Sequence, residues 1–186
     1  MRICMAIFGL GGMLCSGMLQ AADLQSVEFE RKDERYIAKI RVRLAVPQRD
    51  AFEVMKDFKN LTEMNPAVQE AQVLQLLPGT TRLHTRVKLC VAFMCREIKQ
   101  VQDMRTFGVG EMNARVLPEP SDLEYGYAYW RFDDCAGETC LTFRAEIDPK
   151  FWVPPLIGNW MVRHVLRKEA MITSEGIERI VRGQSL

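Results

Sequence analysis

From Tyr36 to Val46 the chain reads YIAKIRVRLAV, with Ala38, Ile40, Val42, Leu44 and Val46 alternating against Lys39, Arg41 and Arg43. A period of two with one apolar set predicts a half-buried β-strand. Pro47 ends it, and QRDAFEVMKDFKNL then changes the period. Ala51, Met55 and Phe58, flanked by Val54 and Leu61, fall on one face of a helix of about three turns. NLTEMNPAV adds a short helical turn that stops before Pro66.

Strand patterns follow without interruption: VQEAQVLQLL, RLHTRVKLC, CREIKQVQDM, FGVGEMNARVL, LEYGYAYWRF and CLTFRAEIDP. Short turn-forming segments such as PGTT and PEPSD separate them, which predicts a meander of six antiparallel strands. The C-terminal part is helical. Pro154 and Pro155 stand at its start and Gly183 near its stop. Ile157, Met161, Val165, Ile172, Gly176 and Ile180 form its apolar stripe, widened by Trp160, Leu166, Met171 and Ile177.

The first residues follow neither pattern. MRICMAIFGLGGMLCSGMLQAAD carries one positive charge, an apolar run and small residues before Asp23, the layout of a secretory signal peptide. We expect residues 1–22 to be this signal, with cleavage after Ala21 or Ala22, and residues 23–186 to form one domain. The chain holds 25 Lys and Arg against 24 Asp and Glu; Arg2 lies in the signal, so the expected mature chain is formally neutral. With no dense basic tract, nucleic acid is not an expected partner.

Two C-x4-C pairs remain in the mature chain, Cys90 with Cys95 and Cys135 with Cys140. They admit disulfides or a four-thiolate zinc site. An even count in an exported chain favours disulfides, and zinc arms are usually C-x2-C.

The order strand, two short helices, six antiparallel strands and a long helix resembles the START-like (SRPBCC, helix-grip) superfamily, in its polyketide cyclase/dehydrase and coenzyme Q-binding branch. VPQRDAFEVMKDFKNLTEMNPAVQEAQVL carries the local likeness: a strand-ending proline, an amphipathic helix with the Asp57–Phe58 pair, a turn with Pro66, then a strand. The resemblance implies an α+β fold in which a curved antiparallel sheet wraps a long C-terminal helix. It also implies a hydrophobic ligand held between the two.

Successive turns of a meander lie at alternate ends of the sheet. The cysteine pairs therefore stand a sheet's length apart, and only the local bridges Cys90–Cys95 and Cys135–Cys140 fit the reach of a disulfide. The first bridge pins an apolar hairpin tip, Val91 to Met94, at the same end as FWVPPLIGNW and NPAV. This end is expected to be the mouth of a hydrophobic cavity, able to touch a membrane surface transiently.

Candidate cavity or mouth residues are Pro66, Phe93, Met94, Tyr127, Trp130, Phe132, Phe143, Phe151, Trp152, Trp160, Met161 and His164. Alternation puts Tyr125, Tyr127 and Tyr129 on one strand face and Trp130 and Phe132 on the other, without saying which faces the cavity. His164 suits either a pocket-facing or a solvated position; His84 reads as an outward strand residue. No catalytic motif, metal-binding spacing or phosphate loop is present, so no cofactor, metal or catalytic residue is expected. Two functions follow: an exported or periplasmic carrier of a lipid, sterol-, hopanoid- or quinone-like molecule, and a cyclase/dehydrase or aromatase acting on a hydrophobic polyketide-like substrate.

Overall fold

A computed structural model of the chain describes residues 22–91, 94–153 and 158–184. The elements run β1 (Asp23–Lys32), β2 (Arg35–Leu44), α1 (Gln48–Lys56), a single 3-10 turn (Phe58–Asn60), α2 (Leu61–Met64), β3 (Val68–Leu77), β4 (Thr80–Val91), β5 (Met94–Phe107), β6 (Glu111–Leu117), β7 (Leu123–Cys135), β8 (Glu138–Pro149) and α3 (Gly158–Val181). Residues 1–21, which carry nearly all of the expected signal, lie outside the described residues, as do Phe93 and the two prolines before α3.

The strands form one antiparallel sheet in the order β1-β2-β8-β7-β6-β5-β4-β3. The six-strand meander is β3 to β8, and β2 closes onto its last strand from Tyr36↔Ile147 to Leu44↔Thr139. This is the α+β helix-grip architecture, corrected by one strand. β1, an edge strand paired to β2, lies where no element was expected. A register shift between Leu24 and Ser26 breaks its alternation, and most of its residues are only half-buried or exposed.

α1 also ends earlier than its periodicity suggests. Asp57 leaves the helical region at φ −81° and ψ 93°, and its carboxylate accepts from the Lys59 N–H at 3.2 Å. That local bond offers the backbone an alternative to continuing the helix. The predicted three-turn helix is therefore a helix followed by a 3-10 turn, and α2 is the short helical turn expected from NLTEMNPAV.

One face of the sheet is apolar and packs against the helices. In β2 it presents Tyr36, Ala38, Ile40, Val42 and Leu44, all buried. Met112 and Ala114 of β6, Phe132 of β7 and Leu141 of β8 continue it, and Ile177 of α3 and Met55 of α1 cover it. Burial of such side chains contributes roughly 1.5–3 kcal/mol each, so this surface fixes the sheet's inner and outer faces. At the α2–α3 crossing stands Gly176. A Cβ there would fall on the Met64 backbone carbonyl, so glycine sets how closely the two helices approach.

Candidate functional site

The sheet's inner face and α3 do not meet everywhere. Beneath the N-terminal half of α3 lies a hollow of about 320 Å³. Leu89 and Val91 of β4, Arg96 and Ile98 of β5, Leu123 of β7 and Ile147 and Pro149 of β8 form its floor. Met161, Val162, Val165 and Leu166 of α3 form its roof, and Phe151, Trp152 and Val153 close one side. The volume falls within the range of small-molecule sites, about 300–1,000 Å³.

A second hollow of about 180 Å³ lies under the C-terminal half of α3. Val42, Trp130, Leu141 and Phe143 of the sheet, Met55 of α1 and Leu61 of α2 line it. Leu166 lines both hollows and is the side chain they share. Ser174, buried and with no hydrogen-bond partner among the described residues, lines the second. Asn65 ties the helices together there, its amide donating to the Glu169 carboxylate and to the Thr173 hydroxyl, each at 3.0 Å.

The structure divides the sequence-based candidates. Trp130 and Phe143 stand on the inner face, their ring centroids 5.4 Å apart, and line the second hollow. Phe132 is also inside but is core, packed 5.5 Å from the Phe52 ring. Phe151, Trp152 and Met161 line the larger hollow. Trp152 is nonetheless 77% exposed, so it belongs to the rim. Met94 pairs with Val91 through its backbone; its side chain and Phe93 are outside the described residues.

Four candidates lie elsewhere. Tyr127 is on the outer face, between Arg115 and Glu146 on the neighbouring strands, because period-two alternation excludes it once Trp130 and Phe132 face inward. Its row-mates confirm the side: the Arg35 guanidinium sits 4.0 Å from the Tyr125 ring centroid, and burial beside Glu111 pushes the Tyr129 hydroxyl's pKa up. Trp160 and His164 stack on each other at 5.5 Å on the outer face of α3, since Met161, Val162 and Val165 turn toward the sheet. Pro66 is exposed and lines neither hollow.

The most informative lining residue was not anticipated. Arg96 is in phase with Ile98 and Met104 along β5, and β4 and β5 pair without a register shift from Thr81↔Met104 to Val91↔Met94. Its guanidinium is thereby carried to the inner side, where its carbon lies 3.9 Å from the Phe151 ring centroid. The signal was present in CREIK, where Arg96 and Ile98 are two apart, but a strand arginine reads by default as solvated.

Both cysteine pairs are bridged locally. Cys90–Cys95 spans the β4–β5 tip and Cys135–Cys140 the β7–β8 hairpin, with Cα separations of 4.0 and 5.8 Å. Cys95 borders the larger hollow, but Cys90 and Cys95 are out of phase with Leu89, Val91, Arg96 and Ile98, so the bridge itself lies on the outer side of the strands that form the floor. Among the described residues no helix is long and apolar enough to cross a membrane.

Residues 44–170 match the family model described as polyketide cyclase/dehydrase and lipid transport. No curated protein matches the sequence. Solved structures share the fold at low identity. An aromatase/cyclase from Streptomyces sp. R1128 superposes at a TM-score of 0.66 with 14% identity, over 80% of this chain and 94% of its own. A START superfamily protein from Mycobacterium smegmatis gives 0.64 with 13% identity, over 79% and 97%. A STAR-related lipid transfer protein fragment from Xanthomonas axonopodis gives 0.58 with 12% identity, over 85% and 99%. With its family model matched from the end of β2 into α3 and its sheet wrapped on one long helix, the chain belongs to the polyketide cyclase/dehydrase and lipid transport family.

Proposed function

We propose that this chain is an exported carrier, held in the periplasm or secreted, that shelters a lipid, sterol-, hopanoid- or quinone-like molecule beneath α3. The observation that carries this reading is the 320 Å³ apolar hollow beside an exposed Trp152. An oily molecule gains about 25 cal/mol for each Å² of apolar surface that such walls remove from water. The two bridges favour an oxidising compartment, in keeping with the signal read in residues 1–22.

The rim and the exposed side of α3 suit brief membrane contact. Trp152 of the rim is 77% exposed and Trp160 of α3 is 61% exposed, and Arg163, Arg167 and Lys168 share the exposed side of α3 with Trp160. Tryptophan favours the boundary between water and lipid, and basic side chains favour anionic head groups.

The enzymatic alternative has support of its own in the family and in the aromatase/cyclase neighbour. It needs a general acid and base facing the substrate. Among the described residues Arg96 is the only ionisable side chain lining the larger hollow, and an arginine does not give up its proton. The deciding experiment is solvent extraction of protein purified from its native compartment, followed by lipid mass spectrometry. A stoichiometric apolar compound is the expected result. An empty protein that turns over polyketide-like substrates and binds no lipid would overturn the carrier reading.

A further inference from the structure

We infer that Arg96 anchors an anionic head group, so that the cargo is a single-chain amphiphile ending in a carboxylate or phosphate. The inference rests on the carrier reading and narrows it from any oily molecule to one chemical class.

Arg96 differs from the other strand arginines in being both inward and, among the described residues, without a carboxylate. Arg31 of β1 also lies on the inner side, 5.2 Å from the Tyr36 ring centroid, but is paired with Glu34 at 3.2 Å. Arg82, Arg86, Arg131 and Arg144 lie on the outer face, and each has a carboxylate within 4.0 Å. Arg96 is carried to the inner side, at the edge of a hollow otherwise lined by apolar groups, and has no carboxylate partner among the described residues. The Phe151 ring lies against its guanidinium at 3.9 Å. This cation–π contact holds the guanidinium beside the ring at the edge of the hollow. With no carboxylate paired to them among the described residues, its N–H groups remain able to grip two oxygens of one anion in a fork.

Arg96 is itself exposed, which places it where a chain buried in the hollow would end in water. Size sets the rest of the class. About 320 Å³ is at the lower end of ligand cavities, and suits one chain better than the two of a phospholipid.

The test compares palmitate, hexadecyl phosphate, 1-hexadecanol and inorganic phosphate on the disulfide-intact protein, by calorimetry or displacement of a fluorescent probe. Wild-type protein should bind the two anionic amphiphiles roughly tenfold or more tighter than the alcohol, the factor expected of one charge-assisted hydrogen bond. Inorganic phosphate alone should bind far more weakly, because the chain supplies most of the energy. Arg96→Gln should lose the preference and keep the alcohol affinity; Arg96→Lys should keep part of it. Because Arg96 is exposed, both variants should fold, which their thermal melts would verify. Equal affinity for acid and alcohol would overturn the anchor and leave the carrier standing. Binding of none of the three amphiphiles would overturn the single-chain class, while the carrier reading stands or falls on the extraction experiment; phosphate binding as tightly as its hexadecyl ester would overturn the amphiphile in favour of a free-anion site.

Discussion

The backbone N–H of Ala45 donates a hydrogen bond to the buried carboxylate of Glu178, tying the end of β2 to the last turns of α3. Arg182 stands 3.6 Å from the other carboxylate oxygen and also reaches the Ala45 carbonyl at 3.3 Å. This knot holds the helix over the sheet at the end away from the larger hollow.

Burial pushes the Glu178 carboxyl above its ordinary value of 4.5, while Ala45 and Arg182 pull it down without cancelling the effect. A carboxyl raised in the folded state binds more protons there than in the unfolded chain. Its contribution is fully present below pH 4.5 and is lost as pH rises through the folded value. Glu178→Gln keeps an acceptor for Ala45 and removes the buried charge. Urea midpoints should show the variant at least as stable as wild type at pH 7.5, with the gap closing toward pH 4.5. A gap independent of pH would count against a raised carboxyl. Glu178→Ala should cost about 1–3 kcal/mol, since it leaves the Ala45 N–H buried without an acceptor.

At Gly176, propensity and packing make opposite forecasts. Alanine in a helix is favoured over glycine by about 1 kcal/mol. Here its methyl would meet the Met64 backbone, which cannot rotate away, and overpacking of this kind costs about 1–3 kcal/mol. Gly176→Ala should therefore lower the melting temperature. A stabilised variant would mean that α2 and α3 are further apart than described.

Legibility in the sequence followed how strictly each element obeys one period. β2 was readable because its buried set, Ala38 to Leu44, never breaks step. β1 was not, because the shift at Leu24 and Ser26 moves its side chains from one face to the other and little of it is buried. Trp130 and Tyr127 could be separated into two faces but not assigned, since alternation carries no information about where the helix lies. Trp160 and His164 could not be placed for a related reason: the apolar stripe of α3 is wide, and only its packing decides which edge is covered. Arg96 was missed because charge dominated the reading, whereas its register with Ile98 decided its side.

The two bridges join cysteines equally close in sequence, five positions apart, yet they should differ in function. Loops this short limit the stabilisation from each to about 2 kcal/mol on the chain-entropy account. Replacing Cys135 and Cys140 by serine should cost stability alone. Replacing Cys90 and Cys95 should in addition weaken palmitate binding several-fold, because this bridge clamps the β4–β5 pair whose Leu89, Val91, Arg96 and Ile98 line the hollow. Identical binding by both double variants would show that the β4–β5 bridge does not shape the mouth.

Leu166 offers a test of cavity length. It lines both hollows, so its side chain limits how far a ligand entering from the Trp152 rim can run toward Trp130 and Phe143. Leu166→Ala should open one continuous space. The cost should be about 2 kcal/mol, the low end for leucine truncation, because the side chain is only half-buried. Affinity should then shift toward longer chains, read by titrating saturated fatty acids of increasing length. Leu166→Phe should shift it the other way, toward shorter chains, by filling the passage. If both variants keep the wild-type length preference, the ligand stays within the larger hollow, and the space beside Ser174 serves packing rather than binding.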